Sequence, residues 1–296
     1  MEGLEDWLDV LGCPYCQAPL QLEDGSLRCA AHDDRFPVSG GIPSLVRQED
    51  AAALADFGHR YREARLQEGW RSLMPRQALA LPYGTPPGYP PLYWRVRRQS
   101  YRRLTALLSR QGPHPAAGPV ADLGAGSGWL AHRLAAAGYR VLAMDASRER
   151  DFGLGAAAVY LAAAPSPFLP VQGDLDHLPL QRRKLSLALL NASLHYARDL
   201  EAALRRTAEA LQEDGRLIVL DTPIARRTAP AETPPVGRAR RSLGRRELED
   251  ALSAAGLHPR WVSVWQGPRW WVYQLKKRLK GEVRFSFPIV VATVAQ

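Results

Sequence analysis

The sequence predicts an open α/β fold behind a small cysteine-bearing module, and three observations carry that expectation. A short apolar run, Val120-Ala-Asp-Leu123, enters a turn of alternating glycines and leaves as a helix-forming segment, the pattern of a parallel strand turning tightly into a helix. Further apolar runs recur at 139–144, 168–172, 185–190 and 215–221, with helix-forming stretches between several of them. Strands alternating with helices read as a mostly parallel sheet. All three cysteines lie within the first 29 residues, while the full 296 residues, 46% hydrophobic, suffice for one large domain and one small one.

The glycine turn comes first in importance. Gly124, Gly126 and Gly128 allow positive φ and an approach unobstructed by Cβ atoms. The helix that follows points its unpaired N–H groups into the same turn, so the segment reads as a nucleoside-cofactor site at the carboxyl edge of a strand. A dinucleotide fingerprint, Gly-x-Gly-x-x-Gly, would need its last glycine at position 129, which is Trp129. Instead Asp122 precedes three alternating glycines. Asp145 ends the second run, 17 residues past Gly128, and its two oxygens suit a ribose diol. Asp174 follows the third run and Asn191 ends the fourth, which is apolar throughout as a central parallel strand should be. Any one of these polar residues also reads as a helix cap. Four of them at four successive strand ends do not arise by accident.

The Asp-x-Gly-x-Gly-x-Gly stretch resembles motif I of class I S-adenosylmethionine-dependent methyltransferases. Residues 100–296 are similar to the broad branch that includes ubiquinone- and menaquinone-type C-methyltransferases. The resemblance implies a Rossmann-like seven-stranded sheet ending in an antiparallel hairpin, with S-adenosyl-L-methionine as cofactor. It implies a cofactor site of Asp122, Gly124, Ala125, Gly126 and Gly128, with Asp145, Ala146, Asp174, Leu175 and Asn191. Methyl transfer is an in-line displacement that gains most from alignment and exclusion of water, and it needs a general base only if the nucleophile holds its proton tightly. His195 and Tyr196, just past the fourth strand, are the catalytic candidates, although a lone histidine is more often structural. Asn191 does not begin an Asn-Pro-Pro-Tyr motif, which argues against planar amide or exocyclic-amine acceptors.

Cys13-Pro-Tyr-Cys16 and Cys29-Ala-Ala-His32 form two close pairs separated by 12 residues. Such knuckles meet around one tetrahedral ion, and sulfur with imidazole suits Zn2+. Between them, residues 17–28 read as a hairpin turning at Asp24-Gly25. With the Phe36-Pro-Val and Gly41-Ile-Pro segments that follow, this front resembles the zinc ribbon of small Trm112-like proteins and of guanine-N1 rRNA methyltransferases. His32 stands where the small proteins carry a fourth cysteine, and Asp33 or Asp34 competes for that role. Four protein ligands would make the site closed and structural. A metal-free ribbon with buried thiols is the alternative; a disulfide is disfavoured by the odd count and the lack of a secretion signal.

The expected division is therefore a ribbon over 1–46, a helical and Pro-rich prelude over 47–115, and the methyltransferase domain over 116–296. In the prelude, residues 49–73 and 92–109 read as helices around a proline-rich stretch, 81–91. This branch often uses such a prelude as a lid, which makes Tyr83, Tyr89, Tyr93 and Trp94 wall candidates, with plain aromatic packing as the alternative. Arg95, Arg98 and Arg102 share a helix face.

The charge is uneven. Residues 223–296 hold 14 basic and 5 acidic residues, so the net charge of +9 sits entirely behind the fifth strand. Part lies at Arg226-Arg227 and along 237–246, which reads as a mobile Pro/Ala/Arg segment, and part at 270–280, where adjacent tryptophans stand beside four cations. Cations with aromatics suit single-stranded RNA, an anionic membrane or an acidic substrate; a helix with packed aromatics and solvated lysines is the plain alternative. No 18-residue apolar run and no signal segment occur, so a soluble, cytoplasmic enzyme is expected. Its first-choice acceptor is a small or medium-sized organic molecule, with an rRNA or tRNA base second and a non-catalytic adaptor third. Oligomeric state leaves no mark on the sequence.

Overall fold

The computed structural model describes residues 3–163, 168–225, 243–282 and 284–294. The chain opens with a four-stranded antiparallel sheet in sequential order: β1 (Leu20–Glu23), β2 (Ser26–Cys29), β3 (Arg35–Ser39) and β4 (Ile42–Pro43). Its first hairpin turns at Asp24 and Gly25, both left-handed at φ 48° and 72°, the turn that an Asp-Gly pair favours.

The prelude holds three helices, α1 (Gln48–Gln67), α2 (Pro75–Leu79) and α3 (Pro91–Gln111). The first ends before the expected residue 73, because Gly69 at φ 92° breaks it off. The short α2 has no counterpart in the expectations. It depends on Pro75 at its first turn and on Gln77, whose side chain returns to the Met74 N–H.

Then β5 (Val120–Leu123), α4 (Trp129–Ala136), β6 (Val141–Asp145), α5 (Ala158–Ala163), β7 (Leu169–Gln172) and β8 (Leu185–Asn191) follow. After α6 (Leu200–Ala210) and β9 (Leu211–Leu220) come two short strands, β10 (Ile224–Ala225) and β11 (Leu243–Gly244). The chain continues through α7 (Arg245–Ala254), β12 (Leu257–Val262), α8 (Pro268–Leu279), β13 (Phe285–Ser286) and β14 (Ile289–Val294). Arg226, Arg227 and residues 237–242 of the basic segment, and Val283 at the expected start of the last strand, lie outside the described residues.

The main sheet has seven strands in the order β12-β14-β9-β8-β5-β6-β7. Strands β5 to β9 run parallel, and β14 is antiparallel to both of its neighbours. This is the expected Rossmann-like class I methyltransferase sheet with its closing hairpin, and α8 is the element that joins the hairpin's strands.

Strand periodicity separates two cores. Ala121, Leu123, Leu142, Met144, Ala188 and Leu190 face a cluster that also takes in Trp7, Leu11, Leu27 and Phe36 of the front module. Val120, Val141, Ala143, Leu187 and Leu189 face the other, with Leu81, Trp94, Tyr101 and Leu104 of the prelude. Backbone joins the front module as well: Ser44 bridges Gln172 in parallel, Leu45 N–H donates to the Gln172 carbonyl at 2.9 Å, and Leu11 bridges Leu180. The Gln181 side chain donates to the carbonyls of Leu8 and Leu11 at 2.8 and 2.9 Å. Among the described residues no helix is long and apolar enough to cross a membrane.

Candidate functional site

Parallel sheets open a crevice at the carboxyl ends of their strands where the strand order reverses; here that point lies between β5 and β8. A cavity of about 960 Å³ lies there, at the upper end of the roughly 300–1,000 Å³ that ligand pockets span.

Its floor is the glycine turn. Gly124 and Ala125 both donate to the Met144 carbonyl at 2.8 Å, which folds the turn back over the end of β6. The three glycines do different work. A Cβ on Gly124 would stand 2.3 Å from Ser193 Cβ, and one on Gly128 would stand 2.8 Å from the Phe168 ring. These two are demanded by packing as well as by φ of 78° and 85°. Gly126, at φ 56°, would meet nothing nearer than the Phe152 carbonyl at 3.5 Å; its bare side forms part of the cavity wall.

Asp145 sits against this turn. One carboxylate oxygen accepts the Gly126 N–H and the other the Ser147 N–H, each at 2.8 Å. Asp174 and Leu175 stand on the same wall, with Asp174 paired to Arg198 at 3.2 Å. Asn191 ends β8 on the wall, and its side-chain oxygen has no hydrogen-bond partner among the described residues. A buried amide oxygen without a partner costs free energy unless something else bonds it. Next to it Ala192 is held at φ 55°, and Asp221, just past the end of the neighbouring strand, at φ 53°. Such left-handed non-glycine residues cost of order 1–3 kcal/mol each and cluster at working sites.

Three expected positions fall elsewhere. Asp122 is 1% exposed and lies beneath the turn, away from the cavity wall. Burial and then the charge of Asp145 push its carboxyl up to about 7, against a smaller pull from the Ala131 amide. Gly128 also lies off the wall, as the left-handed residue that starts α4. His195 is 5% exposed, off the wall, with its ring 4.4 Å from the Tyr196 ring and tilted to it by 39°. The two residues share one turn of 3-10 helix, so only one of them faces inward, and it is Tyr196.

The prelude roofs the cavity. Phe57 and Tyr61 of α1 meet Tyr196 edge-on at 6.2 and 6.1 Å. A Cβ on Gly58 would stand 2.8 Å from Ser147 Oγ, a measure of how closely α1 approaches the loop after β6. Arg62 bonds Asp151 at 2.7 Å, Ser72 bonds the other oxygen of Asp151 at 2.5 Å, and Trp70 packs on Tyr89 at 4.1 Å. Burial, then Tyr196, holds the Tyr61 phenol well above its ordinary range, so it keeps its proton.

Of the four aromatic wall candidates, Tyr89 and Trp94 line the cavity, Tyr83 is 49% exposed, and Tyr93 faces Trp270 outside it. Arg97 was missed: one position round the helix from the face of Arg95, Arg98 and Arg102, it reaches the cavity with its guanidinium 5.7 Å from the Tyr89 and Trp94 rings. Desolvation opposes its charge, but Tyr89, Asp221 and Tyr61 more than restore it. Arg98 spends itself on the carbonyls of Pro82 and Tyr83. The sequence offered a signal for Arg97, since it follows Trp94 by three residues on the apolar side of the helix.

In the front module Cys13, Cys16 and Cys29 place their sulfurs within 4.8 Å of one another, and all three thiols are free. Burial pushes Cys13 up to about 12. Burial also acts to raise Cys29, but the Ala31 amide, the neighbouring thiols and the His32 amide outweigh it and its pKa is lowered. His32, the expected fourth ligand, is exposed and its ring stands outside the group. Here the knuckle turns backbone N–H groups toward sulfur, with Ala31 donating to Cys29 Sγ at 3.4 Å, and that leaves the His32 side chain on the outside.

Comparison with known proteins agrees with this architecture. Residues 121–219 match the methyltransferase domain family. A 44-residue stretch is 46% identical to a UPF0434 protein of Azotobacter vinelandii and 50% identical to one of Stutzerimonas stutzeri, in each case 14% of this chain and 72% of the relative. The fold is similar to the complex of the Haloferax volcanii Trm112 methyltransferase activator with a putative methyltransferase, at TM-score 0.52 and 18% identity, over 69% of this chain and 95% of that one. It is also similar to Haemonchus contortus phosphoethanolamine N-methyltransferase 2, at TM-score 0.53 and 15% identity, over 74% of this chain and 56% of that one. The strand order, the glycine turn with Asp145 closed upon it and the domain match thus converge: the chain carries a methyltransferase domain in the fold of S-adenosylmethionine-dependent methyltransferases, and its N-terminal segment belongs to the UPF0434 family.

Proposed function

We propose that this enzyme methylates a small or medium-sized organic acceptor bound beneath the aromatic roof. One observation carries the reading: the cavity extends past the cofactor turn into a space walled by Tyr61, Trp70, Tyr89, Trp94, Arg97 and Tyr196.

The wall fits S-adenosylmethionine. Asp145 beside the turn suits the ribose hydroxyls, because a carboxylate offers about four lone-pair sites. Asp174 and Leu175 lie where an adenine amino group would be received, Gly124 to Gly126 where the amino-acid end would pass, and Asn191 where its bare oxygen would be satisfied. Once bound, the cofactor supplies a sulfonium methyl to an attacking nucleophile. The chain's own part is to align the acceptor and to keep water away. Tyr61 and Tyr196 offer phenolic hydrogen bonds, and the Arg97 guanidinium, framed by rings, favours an acceptor with an acidic or electron-rich group. His195 steadies Tyr196 from behind in this reading and does not touch the acceptor.

We assign the ribbon to residues 1–46, the lid to 47–115 and the catalytic domain to 116–296. The three sulfurs would supply three ligands of a structural Zn2+, and a residue other than His32, or a rearranged knuckle, would complete the set. Loss of bound zinc on Cys13→Ser, with retention on His32→Ala, is the expected result of metal analysis.

The acceptor test is transfer of labelled methyl from S-adenosylmethionine into fractionated cell extract. Label in the low-molecular-weight fraction supports the proposal. Label only in RNA would replace it with the base-methylation reading.

A further inference from the structure

The last helix has a face that the methyltransferase fold does not use. On one side of α8, Trp270 packs 5.5 Å from both the Tyr93 and Phe287 rings, and the Tyr273 hydroxyl lies 3.2 Å from that of Tyr93. These contacts fix the helix to α3 and leave the opposite side in solvent. There Trp271, Val272, Leu275 and Leu279 are 63%, 45%, 38% and 78% exposed. At 100° per residue these four side chains fall within an arc of about 100°. Trp265, just before the helix, adds a further indole that is 74% exposed.

Cations frame this arc. Arg278 borders one side and Lys276, Arg269 and Lys280 the other, all exposed, and none has a carboxylate within 4 Å among the described residues. The fifth cation, Lys277, lies on the packed side over Tyr273 and pairs with Glu282 at 3.5 Å. No acidic residue occurs between 265 and 281.

We propose that α8 is a membrane-docking element that lies flat in the headgroup region of an anionic phospholipid surface. An apolar arc with tryptophans, flanked by lysine and arginine on a helix of low overall hydrophobicity, is what such an interface accepts. The apolar side chains enter the acyl boundary while the flanking cations meet lipid phosphates. The composition of the arc favours lipid over nucleic acid: Trp271 and Trp265 offer bases a stacking surface, but Val272, Leu275 and Leu279, the greater part of the exposed apolar set, offer none. Tyr93, packed under α8, is followed directly by Trp94 on the cavity wall, so docking would act one residue away from the candidate site.

The test is flotation of the full-length protein with vesicles of phosphatidylcholine alone and of phosphatidylcholine with phosphatidylglycerol. The expected result is binding to the anionic vesicles that exceeds the neutral ones by roughly tenfold. The double variants L275S/L279S and K276E/K280E should each weaken it by on the order of tenfold, with melting temperature and S-adenosylmethionine affinity unchanged. Absence of binding to either vesicle, or undiminished binding by L275S/L279S, overturns the proposal. So does salt-sensitive RNA binding that K276E/K280E abolishes and L275S/L279S leaves intact.

Discussion

Residues 3–46 and residues 48–111 both precede the first strand of the main sheet, and both bury large aromatic side chains against it. Their consequences differ. The front module joins the core on one face through Trp7, Leu27 and Phe36 and contributes nothing to the cavity wall. The prelude joins the core on the other face and also contributes Phe57, Tyr61, Trp70, Tyr89, Trp94 and Arg97 to that wall. One segment supplies cohesion, the other supplies cohesion and part of the cavity wall. Alternation along β5, β6 and β8 makes this possible, since successive residues serve opposite faces.

The largest effect that would break this comparison is on stability. Phe36→Ala, at a site 1% exposed, should cost about 3–5 kcal/mol in chemical denaturation while the folded protein binds S-adenosylmethionine as before. A loss of cofactor affinity in the folded protein would mean that the ribbon reaches the site after all. Next comes the buried acid beneath the glycine turn. The Asp122 carboxyl keeps its proton up to about pH 7 in the folded chain, against 3.8 for an ordinary aspartate. Its contribution to stability is therefore present below about pH 4 and is lost as pH rises toward 7, by at most a few kcal/mol at about 1.4 kcal/mol per unit. Asp122→Asn should flatten that decline, as read from denaturation midpoints across the range.

Third, Asp145→Ala should weaken S-adenosylmethionine binding at least about tenfold by calorimetry, because charge-assisted bonds of about 1.5–3 kcal/mol are at stake. Smallest is Arg97→Leu. It should raise the acceptor KM by about fivefold, near 1 kcal/mol, and leave cofactor affinity within about twofold. An equal loss of both would move Arg97 from the acceptor's side of the cavity to the cofactor's.

Strand order and the cofactor turn were legible because their residues are local: Gly124, Gly126 and Asp145 carry their geometry in spacing alone. Depth was not legible. Asp122 and Asp145 look alike as strand residues and lie on the same face of the sheet, yet Asp122 pairs with Ala143, two residues short of the strand end that Asp145 occupies, so one is under the turn and the other against it. Tyr196 and His195 differ instead by the direction in which a single helical turn presents adjacent side chains. His32 was expected from ligand spacing, but the path of the Cys29-Ala-Ala backbone decides where its ring goes. Arg97 was obscured because neighbouring arginines on α3 gave a stronger charge pattern on the wrong face. The prelude's role as a roof rests on Arg62, Ser72 and Asp151, a contact across 89 residues that no local pattern encodes.

The bridge between Ser44 and Gln172 means that the outermost parallel strand does not end in open hydrogen-bonding groups, at least where the front module lies against it. Removing the first 46 residues would bare that strand's rim together with the apolar ledge formed by Leu178 and Leu180. A bare strand rim beside an oily ledge recruits other chains. The shortened protein is expected to accumulate as aggregate, because the front module covers that edge of the sheet without lining its cavity.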